Sequence, residues 1–174
     1  MRSKIIIVVA AFLSLSGCVA NKPKVNINDP NQISQSVRTE YDKFQKTTSF
    51  VGIDIADSNT AIDDVRLRAW KTEDPTTFMY QIYIEDKYDG AWRFYDQAYD
   101  SNGKELLVVR IDRRTRYCSG ERCARAEKVG IIVSRTYLEA NSRSGISIKL
   151  VGKRGEEIFF LPGGYIEGFL RAVN

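Results

Sequence analysis

The sequence predicts an α+β fold, a mostly antiparallel β-sheet or β-sandwich of seven to nine strands with an N-terminal and a C-terminal helix. Three observations predict it. From Phe50 onward, apolar residues alternate with polar ones, the period of a half-buried strand. Turn-forming clusters punctuate the alternation at Asp86–Gly90, Ser101–Gly103 and Lys153–Gly155. Near each end the pattern changes to the helical period.

At the first end, Asp29-Pro30-Asn31-Gln32 has the form of a helix start: a capping carboxylate, proline at the first position and glutamine at the third. Ile33, Val37, Tyr41 and Phe44 then fall on one face, which predicts a helix from Pro30 to Lys46. Strands are expected over Phe50–Ile55 and Val65–Trp70. The loop between them is rich in oxygen ligands, but it lacks the glycine and distal glutamate of a calcium loop and reads as solvated. Phe78–Asp100 reads as a hairpin turning at Asp86–Gly90. Lys104–Tyr117 reads as a long strand after the Asn102-Gly103 turn, and Cys123–Val133 as its antiparallel partner. Ser134 is placed to cap a short helix near Arg135–Asn141, followed by a hairpin of Ile146–Val151 with Glu157–Leu161. In the last segment Tyr165, Ile166, Phe169, Leu170 and Val173 form one apolar stripe, with Gly164, Gly168 and Ala172 permitting close packing.

Composition excludes several chemistries. The chain of 174 residues suits a single core-bearing domain. It has no histidine, which removes histidine-dependent nucleophilic catalysis, imidazole metal ligands and the usual switch near neutral pH. No phosphate-binding glycine loop, cofactor motif or metal signature appears. The net charge of +4 is too small to indicate nucleic acid. Its distribution is uneven. Eleven acidic and five basic residues lie between Ile53 and Asp100, against nine basic and four acidic between Lys104 and Arg135. Either the two segments neutralise each other, or the basic one meets an acidic partner.

Cys118 and Cys123 enclose four residues between two strands, which places them opposite each other as a structural disulfide. The third cysteine lies elsewhere. Arg2 and Lys4 precede an apolar run, Ile5–Leu13, that is too short to span a bilayer, which needs about 20 residues. Leu15-Ser16-Gly17-Cys18 follows, and it resembles the lipobox of bacterial lipoprotein precursors. The resemblance covers only the first 18 residues. It implies a signal peptide over 1–17, a diacylglyceryl thioether and an N-acyl chain on Cys18, a flexible tether over 18–28 and one globular domain over 29–174. It also implies an anchor in the bacterial envelope. With Val19 rather than aspartate after the cysteine, the implied address is the outer membrane, facing the periplasm. Export agrees with oxidation of the cysteine pair.

The reading that follows is a non-catalytic envelope lipoprotein, a protein-binding or accessory module without a cofactor. The candidate docking surface is the basic hairpin tip. Arg110, Arg114 and Arg116 stand at even steps and share a face if no bulge intervenes, with Glu121 and Arg122 in the loop beyond. The alternative is a small-ligand module that holds a glycan or peptide on a face formed by Gln81, Tyr83, Arg93, Tyr95, Gln97 and Tyr99. An enzyme here would depend on carboxylates alone.

Overall fold

A computed structural model describes residues 25–56, 62–74, 78–120 and 122–173. Cys18, the signal and most of the tether lie outside the described residues, as does Glu121.

Helix α1 (Pro30–Ser36) is followed by β1 (Arg38–Asp42), β2 (Thr47–Val51), β3 (Ile62–Thr72), β4 (Phe78–Asp89), β5 (Tyr95–Asp100), β6 (Glu105–Ser119) and β7 (Arg122–Val133). Then come α2 (Arg135–Asn141), β8 (Ile146–Gly152), β9 (Gly155–Leu161) and α3 (Gly163–Ala172). Every strand pairing is antiparallel, and the nine strands form one open sheet in the order β1-β2-β3-β4-β7-β6-β5-β8-β9. The sheet curls. Val65 on β3 and Phe159 on β9 line one cavity of about 260 Å³, although five strands separate β3 from β9 in the sheet order.

Helix α3 fills the curl. Tyr165, Ile166, Phe169, Leu170 and Val173 are all buried, against Leu67, Ile82, Ile131, Ile148, Leu161 and Ile33. Each large apolar side chain so removed from water contributes about 1.5–3 kcal/mol. The predicted stripe is therefore the centre of the core. Its small residues serve a neighbouring helix as well as the sheet: a Cβ on Gly168 would lie 2.6 Å from both the Ile33 Cβ and the Pro30 carbonyl oxygen. Tyr165 also carries a polar tie. Its hydroxyl accepts from the Leu67 N–H at 2.9 Å and donates to the Ile53 carbonyl at 2.8 Å. Gly52 makes room for it, since a Cβ there would stand 2.4 Å from that hydroxyl.

Two expected elements differ. The helix predicted to Lys46 ends at Ser36, and a β1–β2 hairpin takes its remainder. Of its presumed stripe only Ile33 is buried, while Tyr41 and Phe44 are 56% and 87% exposed. Without an apolar surface to bury, residues 38–42 gain more from pairing with β2. Asp42 closes the turn by accepting from the Phe44 and Gln45 N–H groups, and Lys46 takes a φ of 50°. Secondly, β4 and β5 do not form a hairpin. β4 lies between β3 and β7, and β5 between β6 and β8. The Asp86–Gly90 stretch, read as its turn, is mostly the last part of β4. The strand expected over Phe50–Ile55 lies two or more residues earlier, over Thr47–Val51. Val25, assigned to the tether, packs against the core.

Tyr165→Phe leaves the Leu67 N–H and the Ile53 carbonyl without their partner and is expected to cost about 1–3 kcal/mol. Urea unfolding measures it. An unchanged midpoint would show that the hydroxyl contributes nothing.

Candidate functional site: a basic cleft on a buried ionic network

The core-facing positions of β4 and β7 run in register as Tyr80/Val133, Ile82/Ile131 and Ile84/Val129, and then as Asp86/Glu127 and Tyr88/Arg125. Over its last two rows the interior therefore changes from apolar to ionic. Asp86 and Glu127 are each 1% exposed, and a buried carboxylate is stable only if it is paired or hydrogen-bonded.

Glu127 is fully engaged. It accepts from the Arg93 and Phe94 N–H groups at 3.0 Å each, from the Tyr88 hydroxyl, and from Arg113 Nε at 2.8 Å. Burial pushes its pKa up, but these donors outweigh burial and hold it below the ordinary value. Asp86 is poorer in partners. Its Oδ2 accepts from the Tyr95 hydroxyl at 2.7 Å and from Arg93 Nη1 at 2.9 Å, while its Oδ1 has no partner. Burial dominates there and pushes Asp86 up to about 6, against the Tyr95 hydrogen bond and the Arg93 charge. Arg93 also donates to Glu157 at 2.5 Å, and its guanidinium stands 4.5 Å from the Tyr88 ring centroid. Arg125 stacks over Trp92 at 4.5 Å. Three carboxylates and three guanidinium groups thus meet at one end of the core.

This network positions the connection between β4 and β5. Phe94 sits at φ 58°, a left-handed conformation that costs a non-glycine residue about 1–3 kcal/mol and recurs at functional sites. Its ring faces a cleft of about 400 Å³ lined by Phe94, Tyr95, Asp96, Arg110, Arg113 and Lys153. Arg113 lies 4.6 Å and Lys153 5.9 Å from the ring centroid. Arg113 is committed to Glu127, whereas Arg110 and Lys153 enter no ion pair among the described residues. Two cations without an ion pair, Arg110 and Lys153, against one exposed acid, Asp96, make a surface suited to an anionic group. No group of three acidic or cysteine side chains among the described residues is arranged to hold a metal ion.

The structure separates the residues that sequence reasoning joined. Arg110, Arg114 and Arg116 do not share a face, because register shifts fall between Arg110 and Asp112 and between Thr115 and Tyr117. The first shift aligns Arg110, opposite Val129, with Arg113, opposite Glu127; it turns Arg114 to the outer face near Glu85. Lys153, in the β8–β9 turn, lines the same cleft as Arg110. The six-residue ligand face also divides. Gln81 and Tyr83 lie on the outer face of β4, Arg93 and Tyr95 belong to the interior network, and Gln97 and Tyr99 lie on β5 beyond a further register shift. Cys118 and Cys123 are opposed in register and bonded, with Cα atoms 4.0 Å apart, near the exposed tip that includes Arg122. The acidic segment neutralises the basic one in part, through Glu85 with Arg114 and Lys128.

Sequence reasoning missed Asp86, Phe94, Arg113 and Glu127. A signal for the two acids was present: Asp86 is in phase with Tyr80, Ile82 and Ile84, and Glu127 with Val129, Ile131 and Val133. A carboxylate on the apolar phase of a strand must be buried with partners.

The two acids titrate with opposite effect. Asp86 binds its proton more tightly folded than unfolded, where its value is the ordinary 3.8. The stability it contributes is present below about pH 4 and lost as pH rises past about 6. Glu127, held low, contributes stability above the ordinary carboxylate range and loses it in acid. Between pH 4 and pH 6.5 the wild type is expected to lose up to about 3 kcal/mol relative to Asp86→Asn, at 1.36 kcal/mol per pKa unit. Urea titrations across that range test it, and parallel profiles for the two proteins would contradict it. The chain matches no protein-family model, no curated protein and no solved structure.

Proposed function

We propose that this chain is the precursor of a bacterial lipoprotein, anchored through Cys18 in the outer membrane facing the periplasm. It is non-catalytic, and its basic cleft docks on an acidic surface of another envelope protein. The address rests on Leu15-Ser16-Gly17-Cys18 after a short apolar run, and the Cys118–Cys123 bond supports an oxidising compartment. Since Val25 already packs against the core, the lipid would hold the domain within about 25 Å of the bilayer, at roughly 3.3–3.6 Å per extended residue.

The observation that carries the docking reading is the convergence of Arg110, Arg113 and Lys153 on the strained Phe94. Guanidinium groups bond carboxylates in pairs, and a rigid frame lowers the ordering cost of a contact. The cleft is open, which suits a protein surface better than an enclosed small molecule. The two acids opposed in register, Asp86 and Glu127, are each 1% exposed, so neither is presented to a substrate.

In cells, a photocrosslinking residue at Asp96 is expected to yield a discrete, salt-sensitive adduct. The same probe at Thr136, on the helix at the opposite end of β4, is expected to yield none. Arg110→Glu with Lys153→Glu should abolish the adduct, and Cys18→Ala should abolish both palmitate incorporation and membrane retention. Palmitate label surviving in Cys18→Ala would overturn the address. Equal adducts from both probes, or an adduct indifferent to the charge reversals, would overturn the docking site.

A further inference from the structure

The outer face of the sheet, away from α3, carries a second arrangement that the docking reading does not use. Arg68 stands on β3, opposite Val51 of β2 and Gln81 of β4. Its guanidinium carbon lies 4.8 Å from the Trp70 ring centroid and 4.7 Å from that of Tyr83. Two rings thus hold a half-buried cation in place, each contributing about 0.5–2 kcal/mol. Among the described residues Arg68 has neither an ion pair nor a hydrogen bond, so no protein group engages the donors of its fork.

The neighbours account for this. Arg66, which could have shared an acid, is already bound to Asp64 through two hydrogen bonds. Gln81, directly across, packs its head toward β7: a Cβ added to Gly130 would stand 2.1 Å from Gln81 Nε2. Its Oε1 is buried without a donor, so it takes nothing from Arg68 either. Burial holds the Arg68 pKa below its ordinary value, the consequence of desolvating a cation that is in no ion pair; Tyr83 and the more distant Asp64 charge oppose it and Arg66 adds to it.

Arg68 opens on a notch of about 360 Å³ whose walls include Trp70, Tyr83, Arg38, Arg66, Glu40 and Asp64. Three guanidinium groups against two carboxylates leave one positive charge. That balance fits a single negative charge better than a dianion such as phosphate. The planar fork matches a planar carboxylate, and the indole beside it offers an apolar wall for the group that carries it.

We propose that this notch is a carboxylate-binding site, in which Arg68 grips a monoanionic carboxylate of a small ligand, a peptide end or an acidic sugar, with its carbon skeleton against Trp70. The two ring contacts pre-orient the fork, so little side-chain entropy is lost on binding.

Calorimetry on the purified full chain in non-ionic detergent tests it with four probes: an N-acetyl dipeptide acid, the same dipeptide amide, glucuronate and inorganic phosphate. At least one carboxylate is expected to bind saturably and at least tenfold more tightly than both the amide and phosphate; the tighter of the dipeptide acid and glucuronate identifies the source. Arg68→Gln should weaken that binding at least tenfold while still unfolding in one cooperative transition, and Arg68→Lys should fall between. The Arg110→Glu/Lys153→Glu variant should bind as the wild type does, which separates this site from the docking cleft. Equal binding of acid and amide, preference for phosphate, retained affinity in Arg68→Gln, or no binding by any probe would overturn the assignment.

Discussion

The carboxylate of Glu127 is the constraint on which the rest of the site depends. It sits in the wall of the curl, at a position where the strand's alternation calls for an apolar side chain, and it accepts from two consecutive backbone N–H groups of the β4–β5 connection. A buried peptide donor left unpaired costs about 1–3 kcal/mol, so satisfying two of them fixes the path of that connection. The chain is thereby led away from β4 instead of folding back along it. β5 emerges between β6 and β8, on the far side of β7 from β4. The same carboxylate holds Arg113, and with it one wall of the basic cleft.

Two opposed demands meet around it. Helix α3 and the concave sheet form a dry core in which Tyr165 spends its one hydroxyl on the backbone. One end of that core is closed by ions instead of apolar side chains. Such networks are poor sources of net stability, because desolvation offsets most of the attraction. What this one achieves is geometry: Phe94 is held in a left-handed conformation, and Arg113 and Lys153 are gathered about its ring. Asp86, one polar atom short of partners, is where the network is least satisfied.

Much of the fold was legible in the residues. The stripe from Tyr165 to Val173, the Ser134 cap, the cysteine pair and the β8–β9 hairpin all follow from local periodicity and turn chemistry, and these outcomes agree with it. What failed was non-local. Nothing local in Phe78–Asp100 distinguishes a hairpin from two strands parted by a buried carboxylate 27 residues beyond Asp100. The helix expected through Tyr41 and Phe44 had the right spacing but no surface to pack against. A single bulge near Ile111 exchanged Arg114 for Arg113 in the row with Arg110, and bulges have no reliable signature in alternating sequence. The acids on apolar phases of β4 and β7 were the one readable mark of the site.

The most direct measurement is amide hydrogen exchange along the β4–β5 connection at neutral pH. The Arg93 and Phe94 amides lie outside any strand ladder; the Phe94 amide donates to Glu127, and the Arg93 amide donates to Glu127 and to the Tyr88 hydroxyl that Glu127 itself holds. The account predicts that both exchange far more slowly than the adjacent Trp92 amide and nearly as slowly as the strand amides of Ile82 and Ile131. If Trp92, Arg93 and Phe94 all exchanged at the rate of an open loop, Glu127 would not hold the connection, and the cleft built on it would lose its physical basis.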